Sequence, residues 1–377
     1  MPQHITQITV RSLPPLPQDG VSVLPDWTQP AVRKPVVQPW AENSRRFAVG
    51  VIDDSATTGW FGPVSESVAM IVGDEVAPAM IGLEVPAWRA FTDIRPLGRH
   101  RSGPHARLAV SAVELALWDL RSRTANATVE NLLGGRVRTT VPAYATALGI
   151  DIDHPLAPDI ASWLAGAGFW GQKWALPGHD RGEPPQVDAR RLERLREAVG
   201  DEARLCVDAC GRWTADYGRE MLPVLAAHHV TWVEEPGAVS HGDLAGFGLV
   251  HACGEHDYDP AEQVRTLTRG GVQVWQPDPT WNGGLSQCLR MVDLATTLGI
   301  PCFPHGSGLS AALHLAGVTP AGAVPAVEYH LTLEPLRQAV HTVPLVPESG
   351  GFVLIDQLGL SARYRFDENS GGAGYAA

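Results

Sequence analysis

The chain has 377 residues, 44% of them hydrophobic and 19% charged, which is ordinary for a globular protein and leaves room for a barrel plus a second module. Its formal net charge of −12 argues against nucleic acid or an anionic membrane surface as a partner. We therefore expect the partner to be a small molecule.

The cysteines and the apolar stretches of the sequence indicate the cellular compartment. The five cysteines are an odd number and include no CxxC pair, which argues against a disulfide framework and favours a reducing compartment. The first residues lack the pattern of a signal peptide, and no stretch reaches the ~20 apolar residues that a membrane span needs. We expect a cytoplasmic protein that makes no membrane contact.

The first third of the chain mixes strand and helix patterns. Residues 5–13 alternate apolar and polar positions and predict a strand, and residues 46–55 with the turn after them predict a hairpin. A Pro-rich segment, 14–39, predicts a long loop, whereas residues 64–125 have a helical pattern. Together these elements predict an α+β module.

Beyond residue 140 the pattern changes to a repeat. Eight short β-rich runs begin at intervals of 19 to 33 residues, and amphipathic helical stretches separate most of them. Such alternation predicts an α/β fold with a closed parallel barrel, and an open doubly wound sheet is the competing fold, although the chain has no GxGxxG turn. The runs are 141–146, 171–176, 204–209, 231–236, 250–256, 272–278, 301–306 and 326–330.

Polar residues recur at the ends of these runs. In a barrel the carboxyl ends of all strands open onto one face, where catalytic groups lie. Runs two to eight supply one such residue each, namely Lys173, Asp208, Glu234, Glu255, Asp278, His305 and Glu328. Buried carboxylates need partners, and a cation can serve several of them at once.

The chemistry of these side chains predicts roles. Asp208, Glu234 and Glu255 are hard oxygen donors, which suit Mg²⁺ and would leave coordination positions for substrate oxygens. A carboxylate next to an imidazole sets its tautomer and raises its basicity, so His305 is the candidate base and Asp278 its partner.

Two further residues complete the predicted catalytic set. Lys173 would contact a substrate carboxylate as a point charge. Glu328 would donate a proton to an oxygen that gains negative charge, provided that its carboxyl group stays neutral.

The motifs resemble the enolase superfamily, in particular its mandelate racemase-type subgroup. VSAVELALWDLRSRTANATVENLLGG resembles the family's helix and linker before the barrel; VDA, VEEP and GEH resemble its magnesium site, and QPD with PHG resembles its His–Asp dyad. The resemblance implies a modified (β/α)8 TIM barrel of the (β/α)7β type. It also implies a capping domain at 1–135, a barrel at 136–335, and a segment at 336–377 that packs back on the cap.

Within this superfamily the chain most resembles rhamnonate dehydratase-like acid-sugar dehydratases, on the motifs QKWAL, GEHDYD and QPDPTWNGG. Such enzymes remove the proton next to a sugar carboxylate and expel the neighbouring hydroxyl to give a 2-keto-3-deoxy acid. The resemblance implies that Trp174 and His256, which directly follow Lys173 and Glu255, bind substrate. In the N-terminal module Arg46 is the candidate substrate-binding residue, with Arg45 as the alternative, and the loop 14–39 is expected to cover the site.

Other functions remain open. Racemases of the superfamily often carry a second lysine base two positions after the first, and this chain has Ala175 there, so dehydration ranks above racemisation. An epimerase, another lyase or isomerase of the superfamily, and a ligand-binding relative without turnover are the alternatives. A symmetric homo-oligomer is the expected assembly.

Overall fold

The computed structural model describes most of the chain, namely residues 3–14, 22–33, 45–85, 103–360, 363–366 and 373–376. Much of the predicted covering loop, at 15–21 and 34–39, lies outside the described residues. Within the described ranges, no helix combines the length and apolar character needed to cross a bilayer.

An antiparallel sheet forms the N-terminal module. Strands β1 (Ile5–Leu13), β2 (Arg46–Asp53) and β3 (Thr58–Ser65) form a meander, and the predicted hairpin is confirmed by the β2–β3 pairing. The last strand of the chain, β12 (Ala373–Ala376), pairs with β1. The carboxyl-terminal segment therefore returns to this sheet, while the exact domain boundaries stay predictions.

Helices cover one face of this sheet. The longest helix of the described residues, α3 (Pro104–Ala125), begins with a proline, where a missing N–H costs nothing. It is capped by Asn126 in the left-handed conformation. Its residues Val113, Leu117 and Leu120 are buried in the main hydrophobic core. The helices of this part are α1 (Glu66–Ile71), a π-helical turn (Val72–Val76), α2 (Ala77–Met80), α3 (Pro104–Ala125) and α4 (Val129–Leu132), with a 3-10 turn at Asp26–Ala31.

A parallel sheet forms the second module. Strands that follow each other in the chain are neighbours in this sheet, and the last parallel strand pairs with the first, as a closed barrel requires. The strands are β4 (Thr140–Thr146), β5 (Gln172–Ala175), β6 (Leu205–Asp208), β7 (Val233–Glu234), β8 (His251–Cys253), β9 (Val274–Trp275) and β10 (Val327–His330).

The seventh predicted strand, 301–306, is the exception. It forms a single bridge, between Cys302 and Trp275, because Pro301 and Pro304 have no N–H to donate to a ladder. The segment still closes the ring: the Phe303 N–H donates to the Trp275 carbonyl at 2.9 Å, and the Glu328 N–H donates to the Pro304 carbonyl at 3.2 Å.

Helices surround the barrel and follow most strands. Their apolar sides, such as Leu192 and Leu195, are buried against the sheet, as the helical periodicity predicts. They are α5 (Ala157–Gly166), α6 (Pro185–Val199), α7 (Ala215–Ala227), α8 (His241–Gly246), α9 (Pro260–Thr268), α10 (Leu285–Thr297), α11 (Leu309–Gly317) and α12 (Glu334–Gln338), and a short strand, β11 (Gly351–Val353), pairs antiparallel with β4.

Aromatic side chains fill the lower half of the barrel. The Tyr144 ring lies edge-on to Trp232 at a centroid distance of 5.4 Å, and Phe303 lies 5.0 Å from Trp232. All three are almost completely buried. This packed floor leaves the carboxyl ends of the strands as the place where polar side chains can gather.

Candidate active site at the carboxyl ends of the barrel strands

Alternation along the strands places the charged side chains inside the barrel. Asp208 and Glu234 face each other in register on neighbouring strands, and Lys173 precedes them on β5. Since successive side chains of a strand point to opposite faces, Asp208 and Glu234 lie on the same side as the interior residues Cys206 and Trp232 two positions earlier.

Lys173 is the centre of a buried ion-pair cluster. Its ammonium contacts Glu234, lies 3.0 Å from Glu328 Oε1 and lies 3.6 Å from Asp208 Oδ2. Burial lowers the pKa of Lys173, but the carboxylates of Glu234 and Glu328 outweigh burial and raise it well above its ordinary value. The lysine is therefore a cation that pairs with three carboxylates, and its contact with a substrate carboxylate stays a prediction.

Glu234 lies in an excess of negative charge. Burial raises its pKa to about 8; Lys173 opposes this rise, while Asp208, Glu328 and Glu255 add to it. Its second oxygen accepts hydrogen bonds from Gln276 Nε2 at 2.6 Å and from Trp232 Nε1 at 3.2 Å. One lysine does not balance these carboxylates, and further positive charge would let Glu234 ionise.

The predicted His–Asp pair forms. His305 Nδ1 lies 2.7 Å from Asp278 Oδ2, and Asp278 is fully buried. The other oxygen of Asp278 accepts hydrogen bonds from the Thr280 N–H at 2.7 Å and the Thr280 hydroxyl at 2.6 Å. A carboxylate at Nδ1 holds the proton on that nitrogen, which leaves Nε2 to face the barrel mouth.

Glu255 completes the contacts of this imidazole. Its Oε2 lies 3.3 Å from His305 Nε2, and Glu328 Oε2 lies 4.0 Å from the same nitrogen. Burial lowers the pKa of His305, but Glu255, Glu328 and Asp278 together raise it to about 10. In this arrangement the imidazole is protonated at neutral pH.

Glu328 does not meet the condition for a neutral proton donor. Burial raises its pKa, but Lys173, His305 and a hydrogen bond from Thr146 outweigh burial and hold the pKa far below the ordinary value. It also accepts the Gly306 N–H at 2.8 Å. Glu328 is thus an ionised carboxylate that links Lys173 to the loop after His305, and its role as a proton donor stays a prediction.

The carboxylates of Asp208, Glu234 and Glu255 are suitable ligands for a hard divalent cation, but in this structure they form ion pairs and do not surround a common point. Among the residues that the structure describes, no three His, Cys, Asp or Glu side chains converge as metal ligands, because Lys173 and His305 engage the carboxylates. Asp208 and Glu234 at the ends of β6 and β7, and Glu255 two residues after β8, nevertheless offer only oxygen donors and carry surplus negative charge.

The three predicted substrate-binding residues lie in different surroundings. His256 is exposed beside the site, with Nδ1 3.5 Å from Glu255 Oε1. Trp174 is buried on the outer face of β5, where its indole donates to Gln172 at 2.8 Å, and its substrate contact stays a prediction. Arg46 lies half-buried on β2 of the capping sheet.

Tertiary contacts reveal further residues of the site. Gln276 holds Glu234; Asn282 bridges the loops of Asp278 and Glu255, and Trp281 packs on His305 with ring centroids 4.8 Å apart. All three belong to the quoted motif QPDPTWNGG. Gln276 was detectable from the strand period, since it precedes Asp278 by two positions and so shares its face.

The structure combines a parallel barrel and a capping sheet with carboxylates and a His–Asp pair at the strand ends, which are the features of a barrel enzyme. The chain belongs to the mandelate racemase/muconate lactonizing enzyme family of the enolase superfamily. Residues 48–134 match that family's N-terminal domain, and residues 156–368 match the enolase C-terminal domain-like family. The resemblance expected from the sequence is confirmed.

Three relatives are named for sugar acids or their lactones. A D-galactarolactone cycloisomerase of Agrobacterium fabrum is 31% identical over 277 residues, 69% of this chain and 72% of that protein. A D-galactonate dehydratase of Klebsiella pneumoniae is 28% identical over 303 residues, 73% and 76% of the two chains. A Caldivirga maquilingensis protein named as a putative L-rhamnonate dehydratase is 35% identical over 210 residues, which are 53% of this chain and 50% of that protein.

Solved structures agree in fold. The 3,6-anhydro-D-galactonate cycloisomerase of Zobellia galactanivorans superimposes with a TM-score of 0.72 at 25% identity, over 85% of this chain and 92% of that chain. A magnesium-bound racemase of Streptomyces coelicolor superimposes with a TM-score of 0.71 at 23% identity, over 86% of this chain and 94% of that chain.

Proposed function

We propose that this enzyme is a magnesium-dependent dehydratase of sugar acids. The observation that carries the proposal is the His305–Asp278 pair, whose Nε2 side faces Glu255 and Glu328 at the barrel mouth. The relatives named for galactonate and rhamnonate dehydration support the same reaction type. The identity of the sugar acid is a separate question, and L-rhamnonate is one candidate among several.

Asp208, Glu234 and Glu255 would hold the ion. When bound, Mg²⁺ supplies positive charge that binds an acid and stabilises the negative charge that develops when its α-proton leaves. Positive charge near Glu255 also offsets the carboxylate that now pairs with His305, which favours the neutral imidazole that a base requires.

His305 performs the proton transfers. Its Nε2 takes the proton from the carbon next to the substrate carboxylate, and the bonding electron pair moves into the carboxylate group. The same imidazole then returns the proton to the departing hydroxyl at the next carbon, so that one water leaves and no other reactant is consumed. Asp278 keeps Nδ1 protonated and the ring oriented throughout.

Lys173 and Glu328 organise the surroundings. The ammonium offsets the charge of Glu234 and Glu328, and Glu328 holds the backbone N–H of Gly306, directly after the base. Gln276 fixes one oxygen of Glu234. These buried contacts restrict the carboxylates to one arrangement, which is what a preorganised site needs.

Cycloisomerisation of a lactone or anhydro sugar acid is the second candidate. It is supported by the 31% identical cycloisomerase and by the structural similarity to another. Both reactions begin with removal of an α-proton by one base, so the His305–Asp278 pair serves either. The product distinguishes them, because dehydration lowers the mass by one water and cycloisomerisation leaves it unchanged.

The test is a panel of aldonic acids, aldaric acids and their lactones, assayed with magnesium and after EDTA treatment. We expect 2-keto-3-deoxy products from at least one acid, loss of turnover without metal, and a fall of about 10²–10⁴-fold in His305→Asn. His229→Asn is the matched control, since His229 is exposed and has a left-handed backbone that Asn tolerates. Full activity in His305→Asn, or no product and no isotope exchange from any acid, would refute the proposal.

A further inference from the structure

His330 is the last residue of β10 and lies on the inner face of the barrel. It follows Glu328 by two positions, so the two side chains share a face of the strand. Glu328 contacts Lys173 and Thr146 in the interior, and His330 is in register with Thr146 on the neighbouring strand. The partly exposed imidazole of His330 therefore lies about 6–7 Å closer to the barrel mouth than the buried Glu328, measured along the strand.

The hydrogen bonds of His330 fix its tautomer. The backbone N–H of Leu333 donates to Nδ1 at 3.3 Å. Because a backbone N–H can only donate, Nδ1 must keep its lone pair and carries no proton. The Thr332 hydroxyl, 3.4 Å from the same nitrogen, can either donate or accept and is compatible with this arrangement. The proton of the neutral ring is then on Nε2, which makes Nε2 a hydrogen-bond donor.

The same contact keeps the ring uncharged. A proton on Nδ1 would place two N–H groups against each other, so the geometry disfavours the imidazolium form. Burial and the positive charge of Arg337 lower the pKa of His330 to about 3, although Glu328 opposes this shift. His305 differs, because carboxylates face both of its ring nitrogens. His305 is therefore suited to proton transfer, whereas His330 is suited to donating a hydrogen bond without charge.

Nε2 of His330 is open to a ligand at the level where a substrate chain must pass. Within the described part of the chain, all hydrogen bonds of the His330 ring involve Nδ1. The aromatic floor of Tyr144, Trp232 and Phe303 closes the barrel below the charged side chains. The part of a bound acid beyond its carboxylate must therefore extend toward the mouth. An uncharged donor there suits an uncharged oxygen, since a second carboxylate would favour a cation.

We propose that His330 is a specificity-determining residue that donates a hydrogen bond from Nε2 to a hydroxyl group of the substrate chain, beyond the two carbons that react. The substrate class is then an acid whose chain carries further hydroxyl groups, rather than a short 2-hydroxy acid. A partly buried donor left without that hydroxyl costs binding energy, so the site discriminates against acids that lack it. This inference rests on the proposed function and adds the side chain that recognises the polyol part.

The binding test compares galactonate and rhamnonate with lactate of the same configuration at carbon 2, which has the carboxylate and the 2-hydroxyl but no further hydroxyl groups. Calorimetry with His305→Asn protein and magnesium measures these affinities without turnover, alone and combined with His330→Asn. The Asn side-chain oxygen can replace Nδ1 as acceptor for the Leu333 N–H, whereas the Nε2 donor is lost.

We expect His330→Asn to reduce the ratio of aldonate affinity to lactate affinity by about 3–10-fold, the range of one neutral hydrogen bond. His330→Gln, whose amide N–H can reach toward the position of Nε2, should recover part of that ratio. His229→Asn, at an exposed position after α7, is the matched control and should leave the ratio unchanged.

The outcomes separate this inference from the proposed reaction. Weaker aldonate binding in the His330→Asn protein, with lactate binding unchanged, supports the inference even if no dehydration is found. An equal effect on aldonate and lactate, or no effect on either, overturns the inference while leaving dehydratase activity intact. Binding of lactate without binding of either aldonate also overturns it. Binding of none of the three acids counts against the proposed function and against the inference that rests on it.

Discussion

The side-chain amide of Asn282 donates a 3.2 Å hydrogen bond to the backbone carbonyl of Glu255. The same amide donates to the Asp257 carbonyl at 2.8 Å, and its oxygen accepts the backbone N–H of Asp278 at 2.5 Å. One fully buried side chain thereby joins the loop of a proposed metal ligand to the partner of the proposed base. The relative position of the two loops depends on this bridge.

Replacing Asn282 with Leu should lower both stability and activity. The change leaves the Asp278 N–H and the Glu255 carbonyl without this partner, whereas the Asp257 carbonyl keeps a hydrogen bond from Gln263 at 2.9 Å. We therefore expect a loss of about 2–4 kcal/mol in the free energy of unfolding. Magnesium affinity should also fall, because Glu255 is no longer held. Urea unfolding and calorimetry measure these effects, with Asn131→Leu at an exposed position as the control. Wild-type stability in Asn282→Leu would contradict the role of the bridge.

Asp278→Asn tests the orientation of the imidazole. An amide in place of the carboxylate no longer stabilises a proton on Nδ1, so Nε2 loses the lone pair that must take the substrate proton. We expect kcat to fall by about 10²–10⁴-fold, with α-proton exchange in D₂O falling in parallel. Asp293→Asn removes an exposed carboxylate from α10 as a control. Exchange at the wild-type rate in Asp278→Asn would show that Asp278 does not set the tautomer on which proton removal depends.

Lys173→Met removes the cation from a cluster of buried carboxylates. Because Glu234 and Glu328 then lack their partner, we expect the metal-free protein to lose about 3–5 kcal/mol of stability at neutral pH. Arg219→Met is the control, since this exposed arginine pairs with the exposed Asp216 and should contribute less than about 1 kcal/mol. Urea unfolding in EDTA makes the comparison, and equal losses in the two variants would show that Lys173 is dispensable for the cluster.

The buried Glu130 predicts a pH dependence outside the active site. Burial raises its pKa, but His314 Nδ1 at 3.1 Å and Arg136 at 3.3 Å outweigh burial and lower the pKa to about 2. A carboxyl group with a lowered folded-state pKa stabilises the protein above its unfolded pKa of about 4.5, and this stability is lost as the pH falls toward 2.

The difference in unfolding free energy between the wild type and Glu130→Gln should therefore shrink by about 1–3 kcal/mol between pH 5 and pH 2. Urea titrations at several pH values measure it. Glu193→Gln, at an exposed helix position, provides the control for removing one carboxylate. A difference that stays constant over this range would show that the contacts with His314 and Arg136 do not favour the ionised form.

Much of the fold and several site residues were accessible from the sequence. The two-residue period of strands and the spacing of the runs predicted the parallel barrel. The charged residues near the ends of runs two to eight predicted which side chains would lie at its mouth. Both patterns are local, because alternation decides which side chains share a face before any partner strand is known. The His305–Asp278 contact follows from adjacent strand ends and is found at 2.7 Å.

Other features required the tertiary structure. Trp174 follows Lys173 directly, yet the two side chains point to opposite faces of β5, and only the assembled barrel shows which face holds the site. The pKa of Glu328 is lowered and that of His305 is raised because neighbouring charges outweigh burial, and these charges come from strands far apart in the chain. The sequence alone therefore determined the barrel and the chemical types at its mouth, whereas long-range packing decided which charges meet, because electrostatic energy depends on distance and burial rather than on chain order.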